Sequence, residues 1–182
     1  MLLTHFLLLA LATAASEFSY VGYLPEWRYE GANWNTLTSH LSHLILFSAE
    51  PLSNGDLTGL DRFPRAALLG EAQAAATANG CQLMLCFGGN GRSSGFSAVS
   101  RNKYKRARFV AAAVAQLQTL LPSSPSAGID INWEYPGYTF GKGYMEDAEV
   151  TKDYAGLALL LKELRAALGP QRALTLAYYP DG

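Results

Sequence analysis

An α/β fold built on a parallel sheet is what this sequence predicts, and three observations carry the prediction. From about residue 19 onward, short apolar runs alternate with longer stretches at helical spacing, the pattern of parallel strands joined by crossover helices. Between Ala127 and Pro136, Ile129, Ile131 and Trp133 alternate with Asp130, Asn132 and Glu134, which makes a β-strand with one apolar and one polar face. That strand opens at Gly128 and ends abruptly at Tyr135-Pro136, with Glu134 at its C-terminal lip; in parallel α/β folds the lip is where ligands bind. Its polar groups stand about 6–7 Å apart. They are costly to bury unless they bond one another or a ligand. A satisfied structural network, or an edge strand wetted on one face, is the alternative.

The other elements follow in chain order. Tyr20 to Leu24 reads as the first strand and runs into Pro25-Glu26-Trp27. A short helix near Asn35–Ser39 leads to a second strand, His43 to Ser48, closed by Glu50-Pro51 and the turn residues Ser53-Asn54-Gly55-Asp56. Pro64 to Ala78 is rich in Ala and Leu and stops at Asn79-Gly80. Gln82 to Phe87 is a third strand entering Gly88-Gly89-Asn90-Gly91. From Lys103 to Leu121, Phe109, Val110, Ala113, Val114, Leu117 and Leu121 form a buried helical stripe, and Lys103, Lys105, Arg106 and Arg108 read as its solvated first turns. Pro122 and Pro125 lead into the polar-faced strand. After a loop to about Asp147 comes a helix lined by Tyr154, Leu157, Leu160, Leu161, Leu164 and Leu168, stopped by Gly169-Pro170. Leu174 to Tyr179 is a fifth strand. A doubly wound open sheet fits this alternation, but the polar ladder points into a barrel interior.

Composition narrows the function classes. The 182 residues carry a net charge of −1, which argues against nucleic acid or an anionic membrane as partner. Residues 1–15 hold an apolar stretch of roughly ten residues followed by an A-x-A-like site. They read as a signal peptide of a secreted protein, although no Lys or Arg precedes the stretch; a buried first helix or strand is the alternative. No later segment is apolar enough to cross a bilayer. Cys81 and Cys86 would lie about 16 Å apart on one strand and cannot bridge. No zinc-type spacing occurs.

The run Gly128, Asp130, Trp133, Glu134, Tyr135 and Pro136 closely resembles the signature of glycoside hydrolase family 18, the chitinases and their relatives, which reads Asp-Gly-x-Asp-x-Asp-x-Glu-Tyr-Pro. Two positions depart from it: Ala127 and Asn132 stand where the family has Asp. The resemblance covers nearly all of residues 16–182 and implies the first five β/α units of a (β/α)8 TIM barrel. A complete barrel takes about 250 residues, so the expectation is an incomplete copy of a longer protein or a chain completed in trans.

The resemblance also implies a chemistry. Glycoside hydrolysis needs an acid to protonate the leaving oxygen and a group to meet the charge at the anomeric carbon; in this family the sugar's own 2-acetamido oxygen supplies the second. Glu134 is then the general acid, Asn132 the residue that orients the acetamido group, and Asp130 the buried partner holding Asn132 or, alternatively, a purely structural barrel residue. Asn132 cannot contribute negative charge, and losing one such electrostatic element typically costs on the order of 10²–10³ in rate. Sugar rings pack on aromatic faces; Tyr23, Trp27, Phe47 and Tyr135 at strand C-termini are the substrate-binding candidates. Tyr138, Phe140 and Tyr144 lie beyond them. The Gly88-Gly89 turn is expected to let the backbone approach a ligand closely, with Asn90 where the family usually has Trp. The expected partner is chitin or another N-acetylglucosamine-containing glycan, with no cofactor, no metal, no nucleic acid and no membrane; nothing sets an oligomeric state. A non-catalytic, lectin-like binder on the same barrel is the competing reading.

Overall fold

A computed structural model describes residues 18–124, 126–139 and 141–177. Five parallel strands form one sheet in the order β1 (Val21–Pro25), β2 (His43–Pro51), β4 (Gln82–Gly88), β5 (Gly128–Asn132) and β8 (Leu174–Ala177). The helices α1 (Trp34–Thr38), α2 (Ala66–Asn79), α4 (Lys103–Leu120) and α5 (Asp147–Leu168) connect them. This is the incomplete (β/α) barrel expected from the sequence. Strand β5 lies between β4 and β8, so its polar face does not belong to an edge strand.

Four short elements escape the periodicity reading because they are set by tertiary pairing. The two-residue β3 (Leu57–Thr58) pairs antiparallel with Glu50 and Pro51 and carries β2 past Ser48. The five-residue helix α3 (Phe96–Ser100) precedes α4, and β6 (Tyr138–Thr139) pairs with β7 (Gly143–Tyr144) within the expected loop before α5. Helix stops follow local chemistry. Gly80 ends α2 at φ 68° with its N–H on the Ala76 and Thr77 carbonyls, and the Asn102 side chain accepts from Tyr104 and Lys105 N–H at the start of α4.

Alternation along each strand sorts the side chains into two layers. Leu44, Leu46, Leu83, Leu85, Phe87, Ile129, Ile131 and Trp133 face the helices and pack with Leu69 and Ala72 of α2, Phe109 and Leu117 of α4, and Leu160 and Leu164 of α5. A ring series, Phe63–Phe87–Phe109–Phe96–Trp133, threads this layer, with centroids 6.3, 5.8, 5.7 and 5.3 Å apart. Ile45, Met84 and Cys86 form a smaller cluster on the other face with Phe47 and Ala173. Along α5 the buried side is Leu157, Leu160, Leu164 and Leu168, while Tyr154 is 39% exposed rather than part of the stripe.

The basic turn of α4 is not uniformly solvated as its composition suggests. Arg106 is buried, donates to the Ser100 carbonyl at 2.7 Å and pairs with Glu163 of α5 at 2.9 Å. Arg108 forks onto Asp56. These arginines bind neighbouring elements, which a charge pattern on one helix cannot reveal.

Close packing at the end of β4 gives a direct test. Gly88 has φ 101°, and a Cβ there would sit 2.2 Å from the Asn132 carbonyl oxygen and 2.6 Å from the Phe96 ring. Gly88→Ala is expected to lower stability by about 2–4 kcal/mol, read as a shifted urea midpoint, because neither backbone nor ring can yield.

Candidate functional site

The polar face of β5 looks into the concave side of the sheet, and one hydrogen bond establishes the curvature. Asp130 is fully buried, and its Oδ2 accepts from the Tyr23 hydroxyl of β1 at 3.0 Å. Strand order puts β1 three places from β5, roughly 14 Å away on a flat sheet. The bond therefore requires the sheet to curl towards this face. Asp130 Oδ1 accepts from Thr175 of β8 at 2.7 Å, and Cys86 of β4 is its neighbour in register. Asp130 is thus tied to β1 and β8 by hydrogen bonds. Its partners are not Asn132, contrary to expectation, because the other strands bring two hydroxyl donors to it first.

Electrostatics keep those donors protonated. Burial, followed by the charge of Asp130 and the hydrogen bond to it, holds the Tyr23 phenol far above its ordinary value, with lesser contributions from Cys86 and Glu134. Burial and then Asp130 push the Cys86 thiol up as well. Glu134 adds a small contribution to both shifts, and it follows Asp130 and Asn132 at alternate positions, with Trp133 between them packed on the helix side against Phe96.

Asn132 is only 6% exposed, and its Oδ1 has no hydrogen-bond partner among the described residues. Unsatisfied buried acceptors are uncommon, and this one stands between Asp130 and Glu134 on the concave face. Glu134 is half-buried at the end of the strand. Its N–H donates to Ser93 Oγ at 3.2 Å, and Ser93 Oγ also contacts the carbonyls of Gly89 at 2.9 Å and Asn132 at 3.1 Å. Gly89 N–H donates to the Asn132 carbonyl at 2.6 Å. Ser93 carries no spacing signal in the sequence, being one of two adjacent serines beyond the glycine pair.

The aromatic candidates separate into groups. Tyr23 and Phe47 meet edge to face at 6.2 Å, and a Cβ on Gly89 would fall 2.3 Å from the Phe47 ring. The close approach expected at Gly88 and Gly89 is thus taken by Asn132 and Phe47 of the chain itself. Tyr135 belongs to a second group, 6.1 Å from Tyr138, which lies 5.2 Å from Tyr144. Trp27 sits on a 3₁₀ turn, Glu26–Arg28, and is 67% exposed. Phe140 and residues 1–17 lie outside the described residues. Among the described residues, no group of three or more His, Cys, Asp or Glu could hold a metal ion.

An ion pair absent from the sequence reading braces this rim. Arg92 pairs with Glu26 at 2.5 Å, donates to Ser48 Oγ at 3.1 Å and lies 5.3 Å over the Phe47 ring. Partial burial raises the Glu26 carboxyl, but the hydrogen bond and charge of Arg92 outweigh it and leave Glu26 below its ordinary value. A carboxyl depressed by folding stabilises above its unfolded pKa, near 4.3, and that contribution disappears as pH falls through the folded value. Glu26→Gln is expected to lower Tm most near pH 7, with the difference from wild type shrinking below about pH 4 in a series of thermal melts.

Comparison with known proteins agrees with this geometry. The family model for glycosyl hydrolases family 18 matches residues 19–181. "Chitinase 2" of Yersinia entomophaga is 41% identical over 108 residues, 57% of this chain and 16% of that protein. A chitinase structure from Rhizomucor miehei superposes with TM-score 0.67 at 26% identity, over 88% of this chain and 40% of that one. A Cycas revoluta chitinase in complex with (GlcNAc)3 shares the fold, with TM-score 0.61 at 18% identity over 89% of this chain and 46% of its own. The chain therefore spans less than half the length of these relatives. It belongs to glycosyl hydrolases family 18.

Proposed function

We propose that this chain carries the acid-bearing part of a secreted glycosidase that cleaves β-1,4-linked N-acetylglucosamine polymers with retention. The observation that carries the proposal is the half-buried Glu134 at the lip of β5, two residues beyond Asn132, whose buried Oδ1 has no partner among the described residues. The (GlcNAc)3 bound to the Cycas revoluta chitinase supports a glycan of this class. Residues 1–15 are proposed as the leader that directs secretion.

Substrate-assisted chemistry needs few protein groups. Glu134 gives its proton to the glycosidic oxygen as the C1–O bond breaks. The carbonyl oxygen of the substrate's 2-acetamido group attacks C1 and forms a cyclic oxazolinium. Glu134, now a carboxylate, takes a proton from water as that water opens the ring, and configuration at C1 is retained. Asn132 Oδ1 is an acceptor for the acetamido N–H, which must be held while its carbonyl attacks. Tyr23, Phe47, Trp27 and Tyr135 supply aromatic surface for the sugar faces, and the Gly88-Gly89 turn seats Phe47 among them.

Neutral Asn132 distinguishes this chain from an efficient enzyme. It cannot balance the oxazolinium charge, so slow turnover is the expected behaviour. The same substitution favours the second reading, a glycan binder without turnover. In the full-length protein, slow hydrolysis of a chromogenic chitobioside is expected, with Glu134→Gln abolishing it and Asn132→Asp raising the rate on the order of 10²-fold. Binding without turnover, equal in wild type and Glu134→Gln, would leave only the lectin reading.

A further inference from the structure

Two side chains grip the backbone on either side of Glu134. On the N-terminal side, Ser93 Oγ accepts the Glu134 N–H at 3.2 Å. On the C-terminal side, Asp153 Oδ2 of α5 accepts the Gly137 N–H at 2.8 Å. Between them Pro136 has no N–H to give. Gly137 is at φ 76° against α5, where a Cβ would lie 2.6 Å from Val150 Cγ2. Asp153 is fully buried, and its second oxygen accepts from Ser97 Oγ at 2.8 Å and Arg101 Nε at 2.5 Å. Arg101 also binds the Glu149 carboxylate and donates to the Glu149 carbonyl at 2.8 Å. Ser93, Ser97 and Arg101 recur at four-residue intervals around α3. One short segment thus reaches both ends of the Glu134 loop, directly through Ser93 and indirectly through Asp153.

We infer that Asp153 is a positioning residue for Glu134, a role that rests on the reading of Glu134 as the acid. Pinning α3 to α5 would require only the bonds from Ser97 and Arg101. The further bond to Gly137 N–H acts on the segment that fixes where the acid points. A buried carboxylate suits this task because it is acceptor-only and can receive three donors at once. Asparagine in its place turns an N–H₂ towards either Arg101 or the Gly137 N–H, donor against donor, and releases one side of the clamp. A misplacement of about 1 Å at a reacting group can cost on the order of 10² in rate.

The test uses the full-length protein and a chromogenic chitobioside, assayed well below each variant's Tm. Asp153→Asn is expected to lower kcat about tenfold or more while KM stays within about twofold. Ser97→Ala, which removes a bond that only pins α3 to α5, is expected to lower Tm while kcat stays within about twofold. Arg101→Lys keeps a cation beside Asp153 but loses the fork onto Glu149, so it should lower Tm and retain kcat. Wild-type kcat in Asp153→Asn, or kcat falling in all three variants in step with Tm, overturns the positioning role alone. A wild type without turnover overturns the acid reading and this inference together.

Discussion

Everything at the site depends on a buried carboxylate that cannot stay buried unless other strands supply its donors. Asp130 accepts from Tyr23 at 3.0 Å and Thr175 at 2.7 Å, with the Cys86 thiol alongside. Leaving such a group unsatisfied costs several kcal/mol, more than most single packing contacts return. Strands β1 and β5 are not neighbours, so meeting that demand means curving the sheet. Curvature and polar satisfaction are one constraint. Because Asp130 is engaged with Tyr23 of β1 and Thr175 of β8, the next two polar groups along the strand are left for something else. Asn132 Oδ1 has no partner among the described residues, and Glu134 stands at the rim.

The rim is built for rigidity on the β1–β4 side. Gly88 and Gly89 occupy conformations at φ 101° and 114°, and their missing side chains are replaced by the Asn132 carbonyl and the Phe47 ring. Arg92 then covers Phe47 and reaches Glu26 beyond β1, while Arg62 pairs with Glu50 at the end of β2. Loops after three successive strands are joined by side chains of opposite charge, partly shielded from water. Pairs of this kind are worth more than fully exposed ones, since screening is weaker and fewer rotamers are lost per contact.

How much of this could be read from the sequence depends on whether a feature is local. The strands, α2, α4 and α5 were legible because alternation and helical spacing repeat over several residues, and Asn79-Gly80 marked a real stop. The inward polar ladder was legible because three polar residues on one strand face are rare without a purpose. The partner of Asp130 was not, because Tyr23 is 107 residues away and only the curl brings it near. The glycine pair is legible through its freedom of φ and the close approach it allows, but the approaching groups are Phe47 and Asn132. Arg106 looked solvated because its partner Glu163 lies on another helix. Asp153 is hidden in the second turn of α5, after Asp147, Glu149 and Lys152, where a charged residue reads as part of a solvated face.

The proposed recognition of a 2-acetamido sugar rests on a buried amide oxygen that has no partner among the described residues, next to an acid at the lip of a curved sheet. Calorimetric titration of the full-length protein with chitotriose and with cellotriose, neutral β-1,4 trimers that differ in bearing a 2-acetamido or a 2-hydroxyl group, measures that recognition directly. Chitotriose should bind at least about tenfold tighter, the ~1.4 kcal/mol expected of one well-made buried hydrogen bond, and an apolar Asn132→Leu replacement should erase the preference. Equal affinities for the two trimers would contradict it.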